Sequence, residues 1–480
     1  MRWAWAAVAT IGGAITGACV DLQAYQCTDD AECRSTVAQG WCEPTGFCSY
    51  PDPECDSGRR YSDLAGPHER ECVEGGASSG VLSETTEDGE GSTAVSNQPV
   101  CGNGVVQGDE ECDELDAVDG DGCNTDCVAG GSVRWSAMVG GEVGGDDRLF
   151  GLTRLVSGDV VAVGYIQGRS RDVLAVRFTI EGEEVQRVAY DIHGGGDEAE
   201  SVVQDATGQL YICGLSVDGS ITNPWMGLWD AQLDGPPDFD MQLPFGLMGI
   251  CHDIVHMADE DFVAVGGSGN TAWSYRFSAS NIDGGVASSP PGGGGGGESR
   301  LRASFQDPEG ALWAAGQLGG SGVAYMVPPS GELGTSIFEL PETQLQAMAV
   351  AGDTMIVGGF RSTVESLADL WISGHGLGGE QRWSFNPTEH LLDDEVEDLA
   401  LDPAGNIYAI GHVSRDNPDR WVIKLDPEGQ VIWERDDYEG SDGIDRGRSI
   451  VVLPNGDLMV VAEVTTEAGD LDGWIARLAP

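Results

Sequence analysis

The sequence predicts an all-β protein, and three observations support that prediction. Short hydrophobic strands that end in a small residue recur, as in VAVG at 161–164, YICG at 211–214 and YAIG at 408–411. Turns that contain Pro, Gly, Asn or Asp separate the strands, and no amphipathic pattern of helical length interrupts them. The copies lie about 50 residues apart, which is typical of propeller blades. We therefore expect a seven-bladed β-propeller preceded by small disulfide-rich modules.

The N-terminal residues predict export. Residues 1–18 carry one early charge, Arg2, followed by an uncharged Trp/Ala/Val/Ile stretch and small residues, which is the pattern of a signal peptide. The small residues before Cys19 resemble a bacterial lipobox, in which the cysteine becomes a lipidated N-terminus. The resemblance implies lipidation at Cys19 and a lipoprotein of the outer membrane or cell surface. Secretion without an anchor is the alternative.

Thirteen cysteines predict a disulfide framework, because lipidation of Cys19 leaves an even number of thiols. Small exported modules bury too little core to fold without such cross-links. The chain lacks the CxxC pairs that a zinc module would need. Cys213 and Cys251 lie in adjacent predicted blades, either as a cross-blade disulfide or as buried thiols. The predicted disulfide cysteines are Cys27, Cys33, Cys42, Cys48, Cys55 and Cys72 in one group and Cys101, Cys112, Cys123 and Cys127 in another.

Composition divides the chain behind the signal peptide into four regions. Residues 19–73 hold the lipidated N-terminus and the six-cysteine module. Residues 74–100 are rich in Gly, Ser, Thr and Glu and read as a flexible linker. Residues 101–127 form a four-cysteine module, and residues 131–480 form the propeller.

The four-cysteine module resembles the myxobacterial cysteine-rich repeat. The segments CGNGVVQ, GDEECD and DGDGC and the closing Cys127 carry the resemblance, which implies an extracellular accessory module rather than a catalytic one. Its acidic cluster suggests calcium as the one candidate cofactor, since hard cations prefer several oxygen ligands from a tight loop. An acidic, solvated turn held by disulfides is the alternative. The candidate calcium ligands are Asp109, Asp113, Asp116, Asp119 and Asp121.

The repeats after residue 131 resemble the bacterial β-propeller repeat, on segments such as WVIKLDPEGQVIW and DPAGNIYAIG. That resemblance implies the fold and no activity, because propellers host unrelated functions. The chain ends at DGWIARLAP without the strand that should follow, whereas GGSVRWSAMVGG at 130–141 aligns with EGQVIWERDDYEG. We predict that residues 132–138 supply the outer strand of the last blade and close the ring.

Recurrent side chains provide the candidate sites. Asp147, Asp197, Asp394 and Asp445 precede the first strand of their blades. They could face the channel as cation ligands or as hydrolytic carboxylates, or could hold turns by accepting backbone N–H bonds. In the other three blades Gly249, Ser299 and Pro341 occupy that offset.

Two further sets have a structural and a functional interpretation. Six tryptophans at two strand positions favour packing between blades over a carbohydrate-stacking surface. His252 and His256 lack an evident third metal ligand and are not expected to bind a metal. The tryptophans are Trp135, Trp383 and Trp433 at one position and Trp273, Trp421 and Trp474 at the other.

The net charge of −56 excludes two classes of partner. Such a field repels nucleic acid and anionic membranes, so we expect membrane contact only through a lipid anchor. We predict a non-enzymatic, cell-surface binding or adhesion protein whose partner is a polysaccharide or a protein. An extracellular hydrolase or lyase that uses channel carboxylates and a structural envelope protein are the alternatives. The predicted binding face comprises the loops 139–149, 192–198, 385–394 and 436–447, with 215–224 and 464–471 beside them.

Overall fold

The described residues of the chain form two compact units, Met1–Ala117 with Thr125–Cys127 and Val118–Asn124 with Val128–Pro480. Their secondary structure consists of strands, and none of them belongs to a helix that could span a membrane. The predicted signal peptide, Cys19 and the predicted linker at 74–100 lie outside the described residues. A computed structural model describes residues 41–42, 48–51, 59–61, 101–102, 106, 110–114, 118–141 and 144–480, with gaps at 244–248, 259–260, 291–296, 329, 331–332, 363–367, 388–392, 415–416, 437 and 439–442.

The first unit contains a small antiparallel sheet and disulfides. Its strands are β1 (Trp41–Cys42), β2 (Cys48–Pro51) and β3 (Arg59–Tyr61), paired in that order. Cys101 and Cys127 form a disulfide, and Cys48 and Cys112 are also disulfide-bonded. These bonds indicate an oxidising environment, as expected for an exported protein. Of the other predicted disulfide cysteines in this unit, Cys27, Cys33, Cys55 and Cys72 lie outside the described residues.

The second unit is built from four-stranded antiparallel sheets. Within each sheet, strands adjacent in sequence pair with one another, except where β4 joins the last sheet. One eight-stranded sheet consists of two such sets joined by a bridge between Gly267 and Arg300. The strands are β4 (Val133–Val139), β5 (Arg148–Arg154), β6 (Val160–Gln167), β7 (Arg171–Phe178), β8 (Glu184–Tyr190), β9 (Glu198–Gln204), β10 (Leu210–Asp218), β11 (Ile221–Trp229), β12 (Phe239–Gln242), β13 (Ile250–His256), β14 (Asp261–Ser268), β15 (Thr271–Ser278), β16 (Asn281–Ser288), β17 (Ser299–Gln306), β18 (Leu312–Leu318), β19 (Ser321–Val327), β20 (Phe338–Pro341), β21 (Thr343–Ala351), β22 (Thr354–Arg361), β23 (Asp369–Gly376), β24 (Gln381–Phe385), β25 (Glu395–Leu401), β26 (Ile407–Ser414), β27 (Pro418–Leu425), β28 (Val431–Arg435), β29 (Arg446–Val452), β30 (Leu458–Thr465) and β31 (Leu471–Leu478).

The first strands of successive sheets contact one another in a closed order. The contacts run from β5 through β9, β13, β17, β21 and β25 to β29, which contacts β5 again. This arrangement is a β-propeller-like fold. The second strand of each sheet is buried on both faces, which explains its continuous hydrophobic run. In β6, Val160 and Ala162 pack toward the sheet of β29, whereas Val161 and Val163 pack toward the sheet of β9.

The N-terminal strand of the second unit joins the C-terminal sheet. β4 pairs with β31 in antiparallel register from Val139 opposite Gly473 to Val133 opposite Leu478. The strand predicted at 132–138 therefore lies at Val133–Val139. The amide of Ala479 donates to the carbonyl of Ser132 at 2.9 Å, and the amide of Gly131 donates to Ala479 at 3.0 Å. The two chain segments thus reproduce the hydrogen bonds of a β-turn without a covalent link between them.

The recurrent tryptophans pack within and between sheets. Trp273 and Trp421 are fully buried, and Trp433 is 8% exposed. Trp135 of β4 stacks near Phe178 with ring centroids 6.3 Å apart, and its indole Nε1 donates to the carbonyl of Ile180 at 2.8 Å. These contacts favour the packing interpretation of the tryptophans over the stacking surface.

The small residue that ends each second strand accommodates a close backbone approach. A Cβ added at Gly411 of β26 would overlap the carbonyl oxygen of Glu395 in the paired strand. The same holds at Gly164, Gly214 and Gly316 with their own first strands. In the set of β21 the residue is Gly359, one position later than the MIVG alignment predicts.

We expect Gly411→Ala to lower the free energy of unfolding by about 2 kcal/mol or more, because the added methyl would push the paired strand β25 away from β26. Ala462 occupies the equivalent place in β30 and faces Gly447 in the paired strand, so Ala462→Gly should cost no more than about 1 kcal/mol. Urea unfolding of both variants measures the difference. Equal losses in the two variants would contradict the close-approach explanation.

Candidate functional site

A channel cavity of about 490 Å³ lies among the first strands of the second unit. In each of these strands the ladder register shifts by one residue, so that one residue is left unpaired as a β-bulge. Every bulged residue lines the cavity, which gives the channel its chemistry. The bulged residues are Phe150, Glu200, His252, Arg302, Gln346, Glu397 and Arg448.

Ion pairs connect the charged side chains around the channel. Arg448 donates to Glu397 Oε1 at 2.6 Å and to Glu463 Oε1 at 2.7 Å. Glu463, whose side chain is 1% exposed, also pairs with Arg148 at 3.0 Å. The negative charge of Glu463 is therefore compensated by guanidinium groups from two different first strands.

Two aspartates next to bulges tie neighbouring first strands together. Asp253 accepts bonds from the hydroxyl of Ser201 at 2.8 Å, from the amide of Ile254 at 2.8 Å, and from both the amide and hydroxyl of Ser304 at 2.7 and 2.8 Å. Asp398 similarly accepts from the hydroxyl of Ser449 at 2.8 Å. Both carboxylates therefore link neighbouring first strands.

Enclosure by the ring disfavours charge on several of these groups. Burial raises the pKa of Glu200 to about 7, and it raises the pKa of Glu395 to about 7 with a contribution from the neighbouring Glu397. Burial likewise raises the pKa of Asp398 to about 6. Burial and the charges of Arg446 and Arg448 lower the pKa of His412 to about 3. At neutral pH the partly protonated Glu200 thus lines the channel, and the partly protonated Glu395 lies beside the neutral imidazole of His412 in the sheet of β25.

We expect the free energy of unfolding to fall as pH rises above about 6.5. Glu200 and Glu395 hold protons in the folded protein near pH 7, whereas unfolded glutamate has released them, so the associated stabilisation is lost as pH rises through 7. The lowered pKa of His412 acts in the opposite direction, but only below the unfolded value of about 6.5.

Urea unfolding at about pH 6.5 and about pH 8 should differ by about 1–2 kcal/mol. The double variant Glu200→Gln with Glu395→Gln serves as the control, because it cannot release these protons and should show a much smaller difference. An undiminished pH dependence in the double variant would assign the effect to other groups.

The four predicted channel aspartates lie elsewhere. Each is buried, and among the described residues none of them lines the channel cavity. Their carboxylates accept backbone N–H bonds from the residue twenty positions later: Gln167 to Asp147, Val217 to Asp197, Ser414 to Asp394 and Thr465 to Asp445. These contacts match the turn-holding interpretation. Each of these aspartates lies three positions before the bulged residue of its strand, and in β21 that position is Thr343, not Pro341.

The other predicted residues fall into three groups. Asp109 and Asp116 lie outside the described residues, while Asp113 accepts a bond from the amide of Gly102 at 3.0 Å. Asp119 and Asp121 belong to the second unit, in the segment Val118–Asn124. Cys123 is disulfide-bonded, and Cys213 of β10 forms a disulfide with Cys251 of β13, which is the first of the two alternatives considered.

The only lysine attaches that segment to the propeller-like unit. Lys424 of β27 is 3% exposed, and its ammonium donates to the carbonyl of Gly120 at 2.6 Å. It also lies 4.0 Å from Asp402 and 4.8 Å from the Tyr408 ring centroid. Gly120 belongs to the DGDG stretch at 119–122, so this acidic turn also packs against β27 of the second unit.

Two groups of side chains have metal-ligand spacing among the described residues. Glu110, Asp113 and Cys127 form one, but Cys127 is in a disulfide with Cys101 and offers no thiolate. Glu395, Glu397 and His412 form the other. Sequence reasoning missed this group because its residues stand in two paired strands. The EVE spacing in β25 and the small residue before His412 were the available signals. His252 and His256 belong to neither group.

A second cavity of about 280 Å³ lies at the start of β5 and shares Arg148 and Phe150 with the channel. Arg171, 47% exposed, pairs with Glu198 there, and its guanidinium lies 5.2 Å from the Tyr165 ring centroid. An arginine, an aromatic ring and a carboxylate around one cavity provide hydrogen-bonding and stacking groups for a ligand.

No protein-family model and no curated protein matches the chain. Among solved structures, a protein from Lactobacillus plantarum is 12% identical, with a TM-score of 0.45, over 65% of this chain and 94% of that one. A putative 6-phosphogluconolactonase from Bacteroides uniformis is 13% identical, with a TM-score of 0.42, over 65% and 94%. Sqt1 from Chaetomium thermophilum, bound to the N-terminus of the ribosomal protein L10, is 12% identical, with a TM-score of 0.40, over 73% and 100%. At this identity the similarity concerns the fold alone.

Proposed function

We propose that the chain is an exported, seven-bladed propeller lipoprotein that binds a cell-surface polysaccharide or protein without converting it chemically. The binding site is the face that carries the loops leading into the first strands. The single observation that carries the proposal is the cavity beside Arg171, Tyr165 and Glu198, which opens next to the channel on this face.

Buried aspartates hold the loops of this face in place. Asp147 accepts bonds from the amides of Gly141 and Gln167, and Asp197 accepts from Ile192 and Val217. Each aspartate therefore fixes two loops to one carboxylate. Loops that are ordered before binding lose less conformational entropy when a partner docks, which favours recognition by such a face.

The experiment measures binding of the exported protein to immobilised dextran, alginate and chitosan, which are neutral, anionic and cationic polysaccharides. We expect no binding to alginate, since the net charge of −56 repels it. Arg171→Ala should weaken binding to the recognised chain about tenfold or more. Arg382→Ala is the matched control, because Arg382 of the outer strand β24 pairs with Asp353 at 2.7 Å and does not line the cavity.

Equal binding by the wild type and Arg171→Ala would move the site elsewhere on the molecule. If the protein binds none of the three polysaccharides, the proposed partner is a protein, and that possibility is tested next. That test is surface plasmon resonance against proteins released from the host cell surface, with the same two arginine variants.

Hydrolysis in the channel is a second candidate function. Carboxylate oxygens of Glu395 and Glu397 lie within 4.8 Å of each other, and the pKa of Glu395 is raised to about 7. A close carboxylate pair with one raised pKa is the arrangement of retaining glycosidases. Release of reducing ends from the same polysaccharides, abolished by Glu397→Gln, would favour this function over binding alone.

A further inference from the structure

We propose that Glu395, Glu397 and His412 bind a divalent transition-metal ion such as Zn²⁺ beside the channel, which Glu397 lines. One ligand atom from each of the three side chains lies within 4.8 Å of the other two, so a single ion can reach all of them. The proposal does not depend on the binding function proposed above.

The fold brings the three side chains to one face. Glu395 and His412 are directly paired across the ladder between β25 and β26. Glu397 is the bulged residue two positions after Glu395, so the bulge turns its side chain toward the channel. The backbone geometry common to all the first strands thus assembles the group, while, of the strands that the structure describes, only β25 and β26 bring these ligand residues together.

His412 provides an independent indication of a ligand. The residue is 2% exposed, and its Nδ1 has no hydrogen-bond partner among the described residues. A buried polar atom without a partner is unfavourable, and a bound metal ion would use its lone pair. The lowered pKa of His412 keeps the imidazole neutral, which is the form that binds metals.

The neighbouring arginines pair with Glu463, and Arg448 also donates to Glu397 Oε1 at 2.6 Å. Glu463 pairs with Arg448 at 2.7 Å and with Arg446 at 3.9 Å, which reduces the repulsion that these guanidinium groups would exert on a cation. Glu395, in contrast, accepts a hydrogen bond from the neutral amide of Gln346. A bound cation would therefore share the carboxylate of Glu397 with Arg448.

The donor set selects the class of metal. An imidazole nitrogen suits Zn²⁺ and other transition ions, whereas Ca²⁺ takes oxygen ligands. Three protein ligands leave a coordination position for water or for a ligand atom from the channel. The candidate calcium site in the cysteine-rich repeat is a different place with different donors.

The test uses the full-length exported protein after removal of metals with a chelator. Calorimetric titration with Zn²⁺ should show one ion per chain, and Co²⁺ should give the visible absorption bands of a protein-bound ion. Ca²⁺ at the same concentration should leave the Zn²⁺ titration unchanged. Glu397→Gln and His412→Asn should each weaken Zn²⁺ binding about tenfold or more.

Glu200→Gln is the matched control, because Glu200 is a channel carboxylate with a raised pKa that lies outside the metal group. It should bind Zn²⁺ as the wild type does. Circular dichroism identifies any variant that fails to fold, in which case the other ligand variant decides the test. Absence of Zn²⁺ binding in the wild type, or equal affinity in the wild type and the folded ligand variants, would overturn the proposal.

Discussion

Removal of residues 1–139 should lower the free energy of unfolding of the propeller-like unit by more than about 4 kcal/mol, compared with removal of residues 1–117. The longer deletion takes away β4, which provides the fourth strand beside β31. It exposes the edge of β31 and removes the buried Val139 and the packing of Trp135 on Phe178. Chemical denaturation of the two truncated chains measures the difference.

A rescue chain distinguishes loss of the strand from loss of the N-terminal modules. Residues 130–139 are placed after Pro480 in the chain that lacks residues 1–139, so that Gly131 follows Ala479 by three positions, as a β-turn requires. Because Gly131 and Ser132 already make turn-like hydrogen bonds with Ala479, the added residues can follow Pro480 as an ordinary hairpin strand. We expect most of the lost stability to return. A chain that stays as unstable as the deletion would show that β4 does not close the ring in this way.

Asp253→Ala should cost about 3–5 kcal/mol of unfolding free energy. The carboxylate accepts bonds from three first strands, through Ser201, Ile254 and Ser304. Its loss leaves the amide of Ser304 without that acceptor in a buried position. Thermal and urea unfolding should both report the loss, while Asp253→Asn should cost less because an amide oxygen keeps part of the network.

Ala303 supplies the control for this prediction. It occupies the same position after the bulge in β17 as Asp253 does in β13. The fold therefore accepts alanine there when no neighbouring group needs an acceptor. Ala303→Ser should change the unfolding free energy by less than about 1 kcal/mol. A small effect of Asp253→Ala, similar to that of Ala303→Ser, would mean that the cross-strand bonds contribute little.

The fold was predictable from residue types that recur at the same position in each sheet. Strand runs such as YAIG and the turn residues between them recur in sequence, and the tryptophans recur at packing positions. The last repeat has only three strands of its own. Residues 132–138 could therefore be predicted as its fourth strand, because they resemble the fourth strands of the other repeats. Repetition also suggested the turn-holding interpretation of Asp147 and its equivalents, which their hydrogen bonds match.

The channel chemistry was not predictable in the same way. Its side chains stand on bulges, and a bulge depends on pairing with the next strand rather than on local sequence. The bulged residue also differs between strands, for example Phe150, Glu200 and Arg302. No recurrent residue type therefore marks the bulge position in the sequence. The pairing of Glu395 with His412 requires the ladder register, which alternating patterns alone leave open.

The joint between β4 and β31 has a mechanical consequence. The chain enters this strand pair at Val133, near the turns of the sheet, and leaves it at Val139, near the loops of the proposed binding face. If the N-terminus is tethered and a partner is held by those loops, tension runs along the strand. Such loading shears all the β4–β31 hydrogen bonds at once instead of peeling them one by one. The noncovalent pair β4–β31 is therefore oriented so that force along the chain loads it in shear, the direction in which a strand pair resists force best.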